Sequence, residues 1–381
     1  MERRPTEYIR TYGGRRPSLR QDRLGTCRFA GGVRTGPSDQ RIRKTHPEYK
    51  ILLTFFSPSG YEIRKNYEGA DYVFYLPADT PSNARRFLDI VHPEIAIFIK
   101  YEFWINLLSE LRRRKVRSYI VSAIFRRNSV FFRPYGAMWR QALETFDTLF
   151  VQNVESKRLL SEIGFDNVVV AGDTRFDRVA QIAAAAQRVE TIERFRGGGR
   201  LFVAGSTWGP DEEILLPLVN ANPDVKFVIA PHEMDEGRIA HLMRNAKGGA
   251  VRYTQCDAAT RFDDVQVLVL DTMGMLSSVY GSATWAYVGG GFGVGIHNTL
   301  EAATFGLPIA FGPNYGKFKE ARDMVSLGCA VSVRTAGELA AWFAPLCDDE
   351  ETLRRASRTA KDYTARNQGA TGIILRSIFN S

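Results

Sequence analysis

The residues best suited to chemistry lie in a glycine-rich block in the second half of the chain, VGGGFGVGIHNTLE (Val288–Glu301). Glycines let backbone N–H groups approach a ligand closely, and a helix predicted to begin near Asn298 adds partial positive charge, so the block predicts a phosphate site. Glu301 lies one turn into that helix, where its carboxylate can accept hydrogen bonds from a ribose diol. The glycines are Gly289, Gly290, Gly291, Gly293 and Gly295.

The spacing of these glycines limits the kind of ligand. It matches neither G-x-G-x-x-G followed by an acid about twenty residues on nor G-x-x-x-x-G-K-[ST], which argues against a dinucleotide site and a P-loop. A mononucleotide held by its phosphate and ribose remains. The competing interpretation is a glycine-rich surface loop.

Three shorter segments also place unusual residues where strands are predicted to end. AGSTWGPDEE predicts a turn before a helix with an acidic first turn, which suits either an anion or an ordinary helix cap. APHEMDE puts a histidine just past a strand, as a ligand or as a plain loop residue. DTMGML contains a glycine that allows close backbone approach. The residues singled out in these segments are Gly205, Ser206, Thr207, His232 and Gly274.

These segments are embedded in an alternation of short apolar runs and amphipathic stretches of helical length, six runs in each half. Continuous apolar runs indicate strands covered on both faces, and strand–helix–strand order indicates parallel βαβ units. We therefore predict an α/β fold of two doubly wound Rossmann-like domains, residues 42–178 and 179–381, facing each other across a cleft. Ligands of such sheets bind beyond the carboxyl ends of the strands.

The first 41 residues differ from the rest of the chain. Residues 1–44 hold 12 Lys and Arg against four Asp and Glu, a net +8, while the whole chain carries +9. Because Arg, Gly and Pro recur there without a period, we predict an aberrant or disordered basic segment over 1–41. A basic arm that binds nucleic acid or anionic lipid is the non-enzymatic alternative, but no nucleic-acid motif accompanies it, so we expect no nucleic-acid partner.

Composition excludes several other classes. No apolar run approaches the roughly 18–20 residues of a membrane-spanning helix, and no secretory signal is recognisable, which predicts a cytoplasmic location. The four cysteines have no paired spacing, which argues against a disulfide framework or a zinc site.

The block VGGGFGVGIHNTLEAATFGLPIAFGPNYGKFKEA (Val288–Ala321) resembles the 3-deoxy-D-manno-octulosonic acid (Kdo) transferases, GT-B glycosyltransferases of lipopolysaccharide core assembly, in their Bacteroidetes-type form. The likeness extends from about Arg43 to Phe379. It implies inverting transfer of Kdo from CMP-Kdo to a lipid A precursor, lipid IVA, without a metal or other cofactor. It also implies work at the cytoplasmic face of the inner membrane, here as a peripheral protein because no anchor is recognisable.

The resemblance also implies roles for individual residues. Many relatives carry Arg where this chain has His232. The segment SPSGYE matches an acceptor-side turn, and KYEFWINLLSEL matches a stretch whose glutamate, here Glu102, supports catalysis. The implied acceptor-side residues are Ser57, Ser59 and Gly60, and the donor-binding residues are Gly205, Ser206, Pro231, His232, Met273, Gly274, Met275, Asn298, Thr299, Leu300 and Glu301.

The family's general base, a glutamate in an A-S-[LV]-G-E turn after the first strand, has no counterpart in this sequence. When permitted codons are assigned to Arg23–Asp39 and read one nucleotide downstream, the peptide becomes V-W-V-H-A-A-S-L-G-E-F-E-Q-G-R-P-I, an apolar strand followed by that turn. We therefore hypothesise that this segment is frame-shifted and that the chain lacks its first strand and its base. The alternatives to a working Kdo transferase are a donor-binding remnant of that family and another nucleotide-sugar GT-B enzyme.

Overall fold

The computed structural model describes residues 26–30 and 38–379. The chain forms two compact units: the first runs to Asp177 and takes in the chain from Gln368 onward, and the second is Arg178–Asn367. The described strands are β1 (Thr26–Ala30), β2 (Ile51–Phe55), β3 (Tyr72–Tyr75), β4 (Ile95–Ile99), β5 (Arg117–Ala123), β6 (Thr148–Val151), β7 (Val168–Val170), β8 (Leu201–Thr207), β9 (Lys226–Pro231), β10 (Ala250–Arg252), β11 (Val267–Val269), β12 (Trp285–Val288), β13 (Ile309–Phe311) and β14 (Ala330–Ser332).

Helices connect these strands, so that successive strands run the same way. They are α1 (Ser38–Thr45), α2 (Pro58–Arg64), α3 (Pro81–Val91), α4 (Ile105–Arg113), α5 (Ala137–Leu143), α6 (Val154–Ser161), α7 (Thr174–Ala185), α8 (Glu190–Arg196), α9 (Gly209–Ala221), α10 (Glu236–Asn245), α11 (Leu276–Tyr280), α12 (Thr299–Ala303), α13 (Lys319–Ser326), α14 (Ala336–Asp348), α15 (Glu350–Arg366) and α16 (Ala370–Phe379), with 3₁₀ turns at Val130–Phe132 and Tyr253–Gln255.

The first unit contains a parallel sheet in the order β3-β2-β1-β4-β5-β6-β7. Its strands are apolar on both faces because helices cover both. In β2 every residue is buried: Leu52 packs in a cluster with α3 and α4, and Leu53 and Phe55 pack in another that includes Ile374 of α16. This alternation follows from the two-residue period of a strand.

The second unit contains another parallel sheet, in the order β10-β11-β9-β8-β12-β13-β14. Its core includes a group of aromatic rings: the ring of Phe343 in α14 lies 4.8 Å from that of Trp285 in β12 and 5.7 Å from that of Phe202 in β8. All twelve predicted apolar runs overlap strands, and the α/β architecture with parallel sheets is confirmed. The strand β10 was not predicted, because its three residues are all only partly buried and form no apolar run.

The prediction that the chain lacks the first strand of its N-terminal sheet is wrong. Thr26–Ala30 is an interior strand of that sheet and pairs in parallel with both β2 and β4, and α1 begins at Ser38, inside the segment expected to be aberrant. Ladder hydrogen bonds come from the main chain, so an extended segment of unsuited sequence can still occupy the position. The rest of 1–41, including the turn of the proposed base, lies outside the described residues.

The predicted extent of the second domain, 179–381, is also wrong at its C-terminal end. Helix α16 belongs to the first unit, where Ile374, Leu375 and Ile378 are buried. The carboxylate of Asp177 holds its start, accepting hydrogen bonds from the backbone N–H of Gly369 (2.6 Å) and from the N–H and the hydroxyl of Thr371 (both 2.8 Å). Apolar patterning alone could not reveal which sheet this helix covers.

We expect Asp177→Ala to destabilise the first unit by about 1–3 kcal/mol, because the donors of Gly369 and Thr371 lose their acceptor. Amide hydrogen exchange should increase along α16, as mass spectrometry of its peptides would show. The matched control is Asp166→Ala, which removes an exposed acid of the same unit. Unchanged exchange in α16 would contradict the role assigned to Asp177.

Candidate functional site

The candidate site of the second unit lies at the carboxyl ends of four adjacent strands, β11, β9, β8 and β12. Each of these strands is followed by one of the segments singled out in the sequence. Their backbones are joined there: the N–H of His232 donates to the carbonyl of Thr207 (2.9 Å), and the N–H of Gly289 donates to the carbonyl of Gly205 (2.9 Å). The predicted donor residues are therefore gathered at one edge of one sheet.

A buried carboxylate, that of Asp211 at the start of α9, connects these segments. It accepts hydrogen bonds from the backbone N–H of Trp208 (2.9 Å), from the hydroxyl of Tyr287 (2.7 Å) and from the backbone N–H of Gly290 (2.9 Å). Burial raises the pKa of Asp211, while the hydrogen bonds from Gly290, Tyr287 and Trp208 act in the opposite direction. This side chain fixes the loop Gly289–Gly295, which we call the glycine loop, to the end of β8.

The glycine loop passes so close to the neighbouring backbone that Gly289 and Gly291 leave no room for a side chain. A Cβ on Gly289 would lie 2.2 Å from the carbonyl oxygen of Ser206, and one on Gly291 would lie 2.6 Å from the Cα of Gly312. Gly290 also has a left-handed backbone, with φ of 89°. These positions require glycine for close approach and conformation, rather than for flexibility alone.

Two side chains hold the outer part of this loop. The amide of Asn314 donates to the carbonyl of Gly293 (2.7 Å), and the ammonium of Lys317 donates to the carbonyl of Val294 (2.7 Å). Val294 itself is 93% exposed. These two hydrogen bonds hold the outer part of the loop, and the side chain of Val294 at its tip is exposed to solvent.

Asn298 and Thr299 each have a buried polar atom where the glycine loop meets α12. The Nδ2 of Asn298 donates to Glu301 (2.7 Å), and the hydroxyl of Ser277 lies 3.5 Å from the same carboxylate. Among the described residues, the buried Oδ1 of Asn298 and Oγ1 of Thr299 have no hydrogen-bond partner. Since buried polar atoms are normally paired, these two are available to a ligand. The helix itself is short, five residues.

Three aromatic rings form a second group beside the loop. The indole Nε1 of Trp208 donates to Nε2 of His297 (3.1 Å). The His232 ring stacks on that of His297 at a centroid distance of 4.3 Å and lies 4.8 Å from that of Trp208. We call Trp208, His232 and His297 the imidazole stack.

The other predicted donor residues differ in their exposure. The sequence predicted a turn at Gly205 and Ser206, but both residues lie inside β8. The strand continues to Thr207 through a register shift, at which Ser206 takes a φ of 55°. Met273 is 82% exposed beside Gly274 and Met275, and Pro231 ends β9. Leu300 is fully buried, so its side chain belongs to the core.

The predicted residues of the first unit lie at the carboxyl ends of β2 and β4. Glu102 follows β4 and accepts a hydrogen bond from the indole of Trp104 (2.7 Å). Burial raises the pKa of this carboxyl, and the Trp104 bond partly opposes the rise. Ser57 precedes α2. Gly60 is buried, and a Cβ placed on it would lie 3.0 Å from Cδ1 of the Phe55 ring. The side chain of Ser59 is outside the described part.

Sequence reasoning missed the residues that organise the second unit's site, namely Trp208, Asp211 and His297. Asp211 was seen only as part of an acidic first turn, and no local pattern reveals that Tyr287 and Gly290 donate to it. A tryptophan directly before that turn and a histidine directly before Asn298 were the available signals. Both become informative only when β8 and β12 are known to be neighbours.

The chain resembles known proteins in both sequence and structure. Residues 38–178 match the family model described as 3-Deoxy-D-manno-octulosonic-acid transferase (kdotransferase). The 3-deoxy-D-manno-octulosonic acid transferase of Haemophilus influenzae is 24% identical over 89% of this chain and 82% of its own length. That of Bordetella pertussis is 27% identical over 80% of this chain and 73% of its own length.

The structure resembles that of a putative UDP-N-acetylglucosamine 2-epimerase from Listeria monocytogenes, with a TM-score of 0.64, 13% identity and coverage of 93% of this chain and 96% of the other. At this identity the likeness concerns the fold, which is GT-B. Within residues 26–30 and 38–379, no helix has the length and apolar character to cross a membrane.

We expect Asp211→Asn to lower the free energy of unfolding by about 1–3 kcal/mol, because an amide cannot accept all three hydrogen bonds and leaves a buried donor unpaired. Urea denaturation would measure the loss, and hydrogen exchange should increase in the glycine loop. Glu213→Gln, an exposed carboxylate two residues on in the same helix, is the matched control and should change stability by less than about 0.5 kcal/mol. Equal effects of the two substitutions would refute the connecting role of Asp211.

Proposed function

We propose that this chain is a glycosyltransferase of the 3-deoxy-D-manno-octulosonic acid (Kdo) transferase family, with CMP-Kdo as its donor and a lipid A precursor, lipid IVA, as its acceptor. The observation that carries the proposal is the pair of unpartnered buried atoms, Oδ1 of Asn298 and Oγ1 of Thr299, beside the carboxylate of Glu301 and the glycine loop. Such a set suits the phosphate and ribose of one nucleotide.

Each part of the site has a role in this proposal. The backbone amides of the glycine loop and the hydroxyl of Thr299 would donate hydrogen bonds to the phosphate, and Oδ1 of Asn298 and the carboxylate of Glu301 would accept hydrogen bonds from the ribose hydroxyls. Stabilising the phosphate in this way assists the departure of CMP without a metal, since charge on the leaving group is met by fixed donors. The acceptor hydroxyl must lose its proton as it attacks the ketosidic carbon, with inversion.

We propose that the acceptor meets the first unit at Ser57, Ser59 and Gly60, with Glu102 in a supporting role. Burial and the Trp104 hydrogen bond hold the Glu102 carboxyl in one orientation, which supports a role in placing the acceptor. Because the acceptor is a lipid, the protein would work as a peripheral protein at the cytoplasmic face of the inner membrane.

A second candidate function is a donor-binding protein without transferase activity. The observation that favours it is the absence from this sequence of an A-S-[LV]-G-E turn, which holds the general base in the family the chain resembles. The donor site described above does not depend on that turn. Binding and transfer therefore test different parts of the proposal.

CMP should stabilise the protein against heat, because a ligand present at about 100 times its Kd adds about 2.7 kcal/mol to the free energy of unfolding. Glu301→Ala should abolish the shift, whereas Glu213→Ala should keep it. Differential scanning fluorimetry with CMP, UMP and UDP makes the comparison. If the uridine nucleotides protect and CMP does not, the chain is another nucleotide-sugar GT-B enzyme.

Under the frame-shift hypothesis, the chain as written should bind CMP and transfer no Kdo, because its sequence lacks the glutamate turn that holds the general base in the family it resembles. A variant in which Arg23–Asp39 is replaced by VWVHAASLGEFEQGRPI should transfer Kdo from CMP-Kdo to lipid IVA, as radiolabel incorporation would show. The matched control carries the same replacement with its first glutamate changed to glutamine and should stay inactive. Turnover by the unaltered chain at a rate ordinary for enzymes would end the frame-shift hypothesis.

A further inference from the structure

Two aromatic rings meet at the carboxyl edge of the first unit's sheet. Phe56 directly follows β2, Trp104 directly precedes α4, and the centroids of their rings are 4.6 Å apart. Because β1 lies between β2 and β4 in the sheet, this contact joins two segments that leave non-adjacent strands. Phe56 is nevertheless 53% exposed. Its ring is therefore supported by Trp104 and still open to solvent.

Trp104 is held in place at the start of α4. The carboxylate of Asp79 accepts hydrogen bonds from the backbone N–H groups of Asn106 (3.0 Å) and Leu107 (2.9 Å), and the side-chain amide of Asn106 donates to the carbonyl of Asp79 (2.8 Å). The indole is only partly exposed and packs against the hydrophobic core of the unit. Since a tryptophan side chain has only two rotatable bonds, this backbone anchor fixes the ring.

The same indole holds a carboxylate. Its Nε1 donates to Oε2 of Glu102 (2.7 Å), and no other group of the described residues donates to that carboxylate. Oε1 of Glu102 is therefore free to accept a hydrogen bond from a ligand. Burial raises the pKa of Glu102, the Trp104 hydrogen bond opposes the rise, and no charged side chain of the described part contributes to the shift. Trp104 thus contacts both an exposed ring and a carboxylate with a free oxygen.

An exposed ring close to a carboxylate suits a sugar. A single exposed phenylalanine is ordinary on a protein surface, so the ring alone indicates nothing. The face of an aromatic ring is electron-rich and attracts the weakly positive C–H groups on the apolar face of a pyranose, while a carboxylate accepts hydrogen bonds from the hydroxyls of the sugar. An acyl chain would cover the ring but desolvate the Glu102 carboxylate without supplying a donor, which is unfavourable.

We propose that Phe56 stacks on a pyranose ring of the acceptor, that Glu102 accepts hydrogen bonds from hydroxyls of the same ring, and that Trp104 is the positioning residue that holds both groups. The inference rests on the proposed function for the identity of the acceptor, whose reacting hydroxyl belongs to a sugar. It separates recognition of the sugar from recognition of the acyl chains.

The test needs a soluble probe without titratable groups. The disaccharide of lipid IVA meets this requirement when it is prepared without phosphates, with acetyl groups on nitrogen and with free hydroxyls elsewhere. It is titrated against the full chain and followed by proton NMR. Its ring C–H signals should move upfield, because they lie over an aromatic face, and saturation transfer from the protein should be strongest to the same protons.

Variants of Phe56 separate the aromatic face from apolar surface in general. Phe56→Ala should weaken binding of the disaccharide about five- to ten-fold, because one aromatic contact is removed. Phe56→Leu keeps an apolar side chain but should lose the upfield shifts, whereas Phe56→Tyr should keep both the affinity and the shifts. Tyr135→Ala, which removes an aromatic ring of the same unit that is 77% exposed, is the matched control and should change neither.

A second measurement tests the positioning role of Trp104. Trp104→Phe keeps a ring beneath Phe56 and removes the N–H that binds Glu102, so the pKa of Glu102 should rise further. Since protonation costs the carboxylate its capacity as an acceptor, affinity for the disaccharide falls as pH falls through that pKa. The fall should begin at higher pH in Trp104→Phe than in the unaltered chain, and Glu102→Gln should bind weakly and independently of pH.

The possible failures are distinguishable, because protection by CMP tests the donor separately. Unchanged affinity and shifts in Phe56→Ala and Phe56→Leu overturn the stacking role and leave the proposed acceptor intact. An equal pH dependence in Trp104→Phe and the unaltered chain overturns the positioning role.

Two further outcomes concern the ligand. If a soluble fatty acid shifts the Phe56 signals and the disaccharide does not, the ring meets an acyl chain and the inference is wrong. If CMP protects the chain but the disaccharide does not bind, the inference is overturned and the proposed donor stands. Binding of neither ligand overturns both the inference and the proposed function.

Discussion

The candidate site of the second unit depends on the hydrogen bonds of one buried carboxylate, that of Asp211. Desolvating a carboxylate is costly, and three donors from Trp208, Tyr287 and Gly290 offset that cost. Because those donors come from the end of β8, from β12 and from the glycine loop, the same bonds that keep the charge buried also fix the loop against the sheet. The imidazole stack and the unpartnered atoms of Asn298 and Thr299 take their positions from this arrangement.

The site combines satisfied and unsatisfied groups in a way that suits binding. Asp211, Glu212 and Arg238 have their partners within the protein, so they contribute rigidity. Oδ1 of Asn298 and Oγ1 of Thr299 lack partners in the described structure, and a buried polar atom left unpaired costs about 1–3 kcal/mol. A ligand that pairs with them recovers that free energy. The left-handed backbone of Ser206 at the end of β8 is a further unfavourable conformation next to the site.

The first strand shows that a position in a sheet can be filled by a segment that carries no continuous apolar run. Thr26–Ala30 fills the place between β2 and β4 because parallel pairing uses backbone groups that every sequence carries. A general base, in contrast, needs one carboxylate at one position, and no extended segment of other sequence supplies it. The parallel sheets and the candidate site of the second unit therefore do not depend on a carboxylate at that position.

The sequence by itself determined the described strands except β1 and β10, the parallel α/β class and the segments that follow β8, β9, β11 and β12, because continuous apolar runs and glycine-rich turns are local signals; it wrongly predicted that β1 would be missing. It did not determine β10, which has no apolar run, or the return of α16 to the first unit through Asp177. Only the tertiary structure decided that Asp211 bonds to Tyr287 and Gly290, which are 76 and 79 residues away in the chain. It also decided that Trp208, His232 and His297 form one stack. Such contacts arise from the order of strands in the sheet, and no local pattern encodes that order.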